Sequence, residues 1–89
     1  MGASVAEWGA KKMKTRWGSC NIRACRIRLN SELAKKSPEC LEYVLVHEMT
    51  QLLQRGHGDA FNSLMDQFLP AWRLRQADLE SYPLAQEVR

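Results

Sequence analysis

Residues 25–30, Cys-Arg-Ile-Arg-Leu-Asn, alternate cleanly. Cys25, Ile27 and Leu29 fall on one face and Arg26 and Arg28 on the other, the period-two pattern of a half-buried strand. Residues 12–18, Lys-Met-Lys-Thr-Arg-Trp-Gly, alternate less strictly and predict a second strand. Between them Ser19-Cys20-Asn21 and the residues after it carry turn chemistry, so the two segments read as a β-hairpin at the edge of a larger antiparallel sheet. A lone hairpin is marginal in water, so a helix or further strands must cover its apolar face.

From Ser37 the period changes. Ser37-Pro38-Glu39 is a helix start, with serine as N-cap, proline at the first helical position and an acid in the first turn. The stretch from Leu41 to Val46 is apolar nearly all round, which predicts a central helix covered on several sides. It should end near Arg55-Gly56, where glycine permits a left-handed turn. Phe61, Leu64, Met65, Phe68 and Leu69 then recur at helical spacing and predict a second helix. Pro70 interrupts it and starts a short third helix through Ala71–Leu79. The expected core joins Phe61, Leu64 and Phe68 to Leu45 and Leu52. The tail from Ser81 carries no pattern.

The chain has 89 residues, 45% hydrophobic and 26% charged, with five glycines and three prolines. That excludes a disordered tail, a collagen-like repeat and a low-complexity linker, and leaves one domain, 1–89. No apolar run approaches the ~18–20 residues that span a bilayer. Met1-Gly2-Ala3-Ser4-Val5-Ala6 lacks a signal peptide's apolar stretch and the hydroxyl that myristoylation prefers at position 6. The expectation is a cytoplasmic protein without a membrane partner. Cys20, Cys25 and Cys40 are odd in number, and none is spaced as a zinc knuckle. Each is read as a small, half-buried hydrophobe in preference to a Cys20–Cys25 bridge or shared metal.

The net charge of +3 conceals an asymmetry: residues 8–31 carry seven basic side chains and no acid, whereas residues 32–89 carry six basic and nine acidic ones. A basic first third is either an electrostatic footprint for nucleic acid or a solvated strand face that discourages edge-to-edge pairing.

The segment that carries chemistry is Val46-His47-Glu48-Met49-Thr50-Gln51, followed by Gly56-His57-Gly58. A zincin sets two histidines at i and i+4 on one helix so that both rings meet one metal, and the glutamate after the first reaches the metal-bound water as general base. Here His47 and Glu48 are present, but Gln51 stands at i+4. His57 lies ten residues after His47, beyond the glycine that turns the chain back, where the third ligand of a short-spaced zincin sits. Gln54 stands where a metzincin has glycine. Spacing alone is a weak signal, because a histidine beside a glutamate in a central helix is more often a core or capping residue than a ligand. Both histidines falling in one motif frame, after the apolar approach Tyr43-Val44-Leu45-Val46, favour a site.

Several blocks together resemble the YgjP-like metal-dependent hydrolases, zincins akin to the SprT and WLM peptidases. They are Thr15-Arg16-Trp17-Gly18-Ser19-Cys20, Ile27-Arg28-Leu29-Asn30, Tyr43 to Glu48, Leu52-Leu53, His57, Phe61 and Leu69-Pro70. The resemblance covers roughly residues 12–78. It implies an α+β, zincin-like fold, with a β-hairpin or antiparallel sheet packed on a central metal-motif helix and C-terminal helices beyond. It implies peptidase-type hydrolysis with a zinc ion as cofactor, held by His47, His57 and the position of Gln51, and with Glu48 as general base. Arg16, Trp17, Gly18 and Ser19 would flank the substrate cleft, where an extended peptide lies along the sheet edge. Family members usually begin with a further N-terminal sheet portion, so the chain is expected to be the C-terminal part of a longer architecture.

Gln51 is the departure. Its carbonyl oxygen is a neutral, hard donor and a poor substitute for imidazole at zinc. Zinc is therefore expected to be weakly held or lost. Three functions compete: a zinc peptidase, weakened or silenced at Gln51; a metal-free peptide-binding module on the same fold; and a nucleic-acid-binding module that stacks bases on Trp8 and Trp17. The alternative for both tryptophans, and the preferred one, is packing in the core or on the sheet.

Overall fold

A computed structural model of the chain describes residues 5, 7–13 and 16–81. The fold is α+β. Strands β1 (Glu7–Lys11), β2 (Gly18–Asn21) and β3 (Arg26–Asn30) are followed by a short 3-10 helix (Ser31–Lys35) and by helices α1 (Pro38–Leu53), α2 (Asp59–Phe68) and α3 (Trp72–Glu80). Among the described residues no helix is long and apolar enough to cross a membrane. The tail beyond Ser81 lies outside the described residues, as do Lys14 and Thr15.

The sheet is mixed rather than antiparallel, with order β1-β3-β2. β2 and β3 form the expected antiparallel hairpin, pairing Gly18 with Leu29 and Cys20 with Ile27. β1 lies on the other side of β3 and runs parallel to it, Trp8 opposite Ile27 and Lys11 opposite Asn30. The strand predicted at 12–18 is displaced: β2 starts at Gly18, and Lys12, Met13, Arg16 and Trp17 lie outside any strand. Met13 and Arg16 lie at the end of the middle strand, and the side chain of Asn30 holds them there. The Asn30 amide nitrogen donates to the carbonyls of Met13 (3.0 Å) and Arg16 (2.7 Å), and its oxygen accepts from the backbone N–H of Met13 (3.4 Å) and Glu32 (2.9 Å). Asn30 is almost wholly buried, and a buried amide is stable only when its hydrogen bonds are made. The last of these bonds also caps the 3-10 helix.

Cys25 belongs to the hairpin turn, not to the strand. It takes the left-handed conformation at φ 51°, and the Asn21 side chain accepts from the N–H of Ala24 at 3.0 Å. Four-residue hairpin loops commonly close on such a left-handed residue.

α1 begins as read. Ser37 accepts from the N–H of Cys40 at 3.3 Å, and Pro38 opens the helix. It ends at Leu53, slightly before Arg55-Gly56, and the reversal follows at Gly56, whose φ is +81°. α1 packs on β2, β3, α2, α3 and the 3-10 helix, which makes it the central element its apolar girth predicted. The core gathers Ile27 and Leu29 from β3, Leu33 from the 3-10 helix, Cys40, Tyr43 and Val44 from α1, Phe61 and Met65 from α2, and Trp72 and Leu79 from α3. Of the expected cluster, Phe61 is central and Leu45 and Leu52 flank it, whereas Leu64 and Phe68 are only half-buried and Met65 takes the inner position. α2 and α3 are joined across Pro70 by Asp66, which accepts from the Trp72 indole N–H at 2.7 Å and from Arg73 at 2.5 Å. These two donors hold the Asp66 carboxyl below its ordinary value.

Trp17 packs against the core, but Trp8 does not: it is 62% exposed. It shares a face with Ile27, yet β1 is the outer strand and α1 lies over β2 and β3.

Phe61 is 2% exposed, so Phe61→Ala leaves a cavity the size of the ring and is expected to cost ~3–5 kcal/mol. Against the ~5–15 kcal/mol typical of a whole domain, a urea melt should show a clearly lowered midpoint.

Candidate active site

One face of α1 carries Tyr43, Val44, His47, Glu48 and Gln51. With ~3.6 residues per turn, these positions share a flank. Opposite them stand Arg16 and Trp17, just before β2, Gly18 to Cys20 of β2, and Ile22 from the hairpin turn; His57 also lines the cleft. The cleft between these walls has a volume of about 400 Å3. His47, Glu48, Gln51 and His57 thus share one cleft with Arg16, Trp17, Gly18 and Ser19.

The wall and the helix approach closely at Gly18. A Cβ there would lie 2.8 Å from Val44 Cγ1 and 3.1 Å from Glu48 Cγ. A side chain would push into Val44 and crowd the glutamate, so this position favours glycine for its lack of a side chain rather than for its backbone freedom.

His47 and His57 converge although ten residues separate them in the sequence. Their rings stack with centroids 5.2 Å apart and planes 26° from parallel, and Phe61 meets both edge-on, at 5.1 and 4.8 Å. The Phe61 ring therefore serves the core on one side and fixes two imidazoles on the other. Tyr43 adds an edge contact to His47 at 5.8 Å.

Glu48 is 8% exposed, and its Oε2 lies 3.3 Å from His47 Nδ1. With its proton on Nδ1, His47 donates to the carboxylate and keeps the Nε2 lone pair open. The field of Glu48 reaches its neighbours. Burial raises the Cys20 thiol first, then Glu48 and Cys25 raise it further. Tyr43 is pushed up to about 12 by burial, with Glu80 and Glu48 adding to it. Both groups stay protonated at neutral pH, and neither serves as a nucleophile there.

Gln51 sits one helical turn past His47, and its side-chain amide contacts His57 Nε2. Among the described residues, no three His, Cys, Asp or Glu side chains gather as a metal-holding group. Asp59, the nearest further carboxylate in the sequence, opens α2 as an exposed residue. A catalytic zinc takes three protein ligands and keeps a fourth position for water. Two imidazoles and a neutral amide do not fit that requirement.

Tyr43, Val44 and Ile22 line the cleft without having been singled out in the sequence as site residues, whereas Cys20 belongs to the Thr15–Cys20 block that the family resemblance set beside it. Tyr43 and Val44 could have been found, because they precede His47 by four and three residues on one helix. Ile22 depends on how the hairpin docks, which no local pattern encodes. Asn30 was missed as the residue that holds Arg16 against the sheet.

A buried glutamate and two histidines thus face one cleft beside a strand edge. The chain belongs to the YgjP-like family: the YgjP-like metallopeptidase domain matches residues 1–82. No curated protein matches it significantly.

Proposed function

We propose that this domain is a metal-dependent, peptidase-type hydrolase that acts on an extended peptide or protein segment, and that Gln51 lowers its turnover. The observation that carries the reading is the buried Glu48 carboxylate, which faces the same cleft as His47 and His57 beside the outer edge of β2. The sheet order leaves that edge of Gly18–Asn21 without a strand partner among the described residues. An extended peptide can add to it through main-chain hydrogen bonds, which brings one of its carbonyls towards α1. Glu48 then accepts a proton from the attacking water and returns it to the leaving amine. Arg16 supplies positive charge at the cleft wall. Zinc would supply Lewis-acid activation of water and carbonyl. The donor set here is one imidazole short of holding it, so no step of this scheme passes through a metal.

The second reading is a catalytically silent peptide-binding module, and the Gln51 contact on His57 Nε2 favours it. A nucleic-acid partner has less support: Arg26 and Arg28, two of the seven cations in the basic third, both pair with Glu7. The test is mass spectrometry of unstructured peptides incubated with the chain and with its Gln51→His variant, each with zinc. Cleavage by the variant supports the hydrolase. Binding without cleavage by either protein overturns it and leaves the silent module.

A further inference from the structure

We infer that Gln51 works against a metal ion in this cleft, by occupying the nitrogen of His57 that would hold it. The inference rests on the reading of His47 and His57 as metal-site positions. Gln51 is not merely a weak donor in an otherwise ready site. Its amide already contacts His57 Nε2, and the two ways of orienting that amide lead to one result. If the amide nitrogen faces the ring, an N–H donates into the Nε2 lone pair and uses it. If the amide is turned over, its oxygen accepts from an Nε2–H, and that nitrogen has no lone pair to give. Amide orientation and histidine tautomer are correlated in this way at every such contact. In both cases His57 has no free lone pair at Nε2.

The surroundings hold the contact in place. His47 stacks on His57 at 5.2 Å, and Phe61 meets it edge-on at 4.8 Å, so the ring is backed on two sides. Gln51 projects from the last turn of α1, which ends at Leu53. The result is an asymmetric pair, His47 with an open Nε2 and His57 closed by an amide. For Gln51 to ligate through its carbonyl oxygen it would have to leave His57. One amide cannot close the histidine and complete its metal site at once.

The two roles predict opposite signs. If Gln51 is a donor, removing its amide weakens metal binding. If it is a competitor, removing the amide releases His57 and strengthens binding. The experiment is zinc competition against a chromophoric chelator on the full chain and on Gln51→Ala, Gln51→Met and Gln51→His. Methionine keeps the length of the side chain without its amide, so it controls for packing and folding. A net hydrogen bond of ordinary strength corresponds to roughly three- to tenfold in affinity, and Gln51→Ala and Gln51→Met should each bind zinc tighter than the parent by about that factor. Nitrogen-15 imidazole shifts give a metal-free readout: His57 should sit in one tautomer in the parent and average between two in both variants. If Gln51→His binds zinc tightly while Gln51→Ala and Gln51→Met bind it no better than the parent, the competitor role is overturned. An unlocked His57 tautomer in the parent overturns it equally. If Gln51→His binds no zinc, the metal-site reading beneath the inference fails instead.

Discussion

Gln51→His is expected to tighten zinc binding by at least ~two orders of magnitude and to bring the stoichiometry to one per chain. A structural zinc site is worth ~10–16 kcal/mol over its ligands, so one good ligand supplies on the order of 3–4 kcal/mol, and each 1.4 kcal/mol is about tenfold in affinity. Position 51 lies one helical turn after His47 on the wall that faces His57. An imidazole there would bring a third nitrogen to a pair that Phe61 already fixes, and it would remove the amide that closes His57. Elemental analysis after mild chelation, alongside isothermal titration, reads both quantities. Full occupancy in the parent chain would mean that the amide suffices and that the missing imidazole does not matter.

Glu48→Gln in the Gln51→His background is expected to cut peptide hydrolysis by at least ~100-fold, the lower range for loss of a general base. Zinc affinity and melting temperature should barely move. Glu48 follows His47 by one residue, about 100° around the helix, where it can reach a water held in the cleft without joining the histidines as a ligand. Among the described residues its ion-pair partner is His47, not an arginine, so replacing the carboxylate strands no buried cation. The glutamine keeps the shape that fits beneath Gly18. Parallel zinc titration, melting and peptide cleavage decide the matter. Retained hydrolysis would remove the general-base role, and a collapsed melting temperature would make Glu48 a structural residue.

How far the sequence could be read depended on whether the signal was local. The start of α1 was legible because Ser37, Pro38 and Glu39 act on the backbone within one turn. The α2 stripe was legible because one face of that helix meets the core. The strand expected at 12–18 failed because alternation there has another cause: Met13 and Arg16 are tied to Asn30, which lies far along the chain. β1 gave no signal, because Glu7, Gly9 and Lys11 surround a tryptophan that remains exposed. That His47, Glu48, Gln51 and His57 line one cleft was foreshadowed by their spacing in one helix and its return, a weak signal that the family resemblance strengthened. The opposite wall came from the family-like block at Arg16–Ser19 and not from any physical pattern, since its position depends on how the sheet docks on α1. That Gln51 touches His57 was not legible at all, because side-chain contact across a turn leaves no periodic trace.

Asn30 also sets how the cleft breathes. Its carboxamide joins three points of the chain, Met13, Arg16 and Glu32, so none of them can open without straining bonds to the others. In hydrogen exchange such segments behave as one cooperative unit. The N–H of Glu32 does not line the cleft, yet its protection should rise when a peptide steadies Arg16, because both bond the Asn30 side chain. A single amide at the start of a 3-10 turn thus becomes a remote gauge of cleft occupancy, readable without any label in the cleft itself.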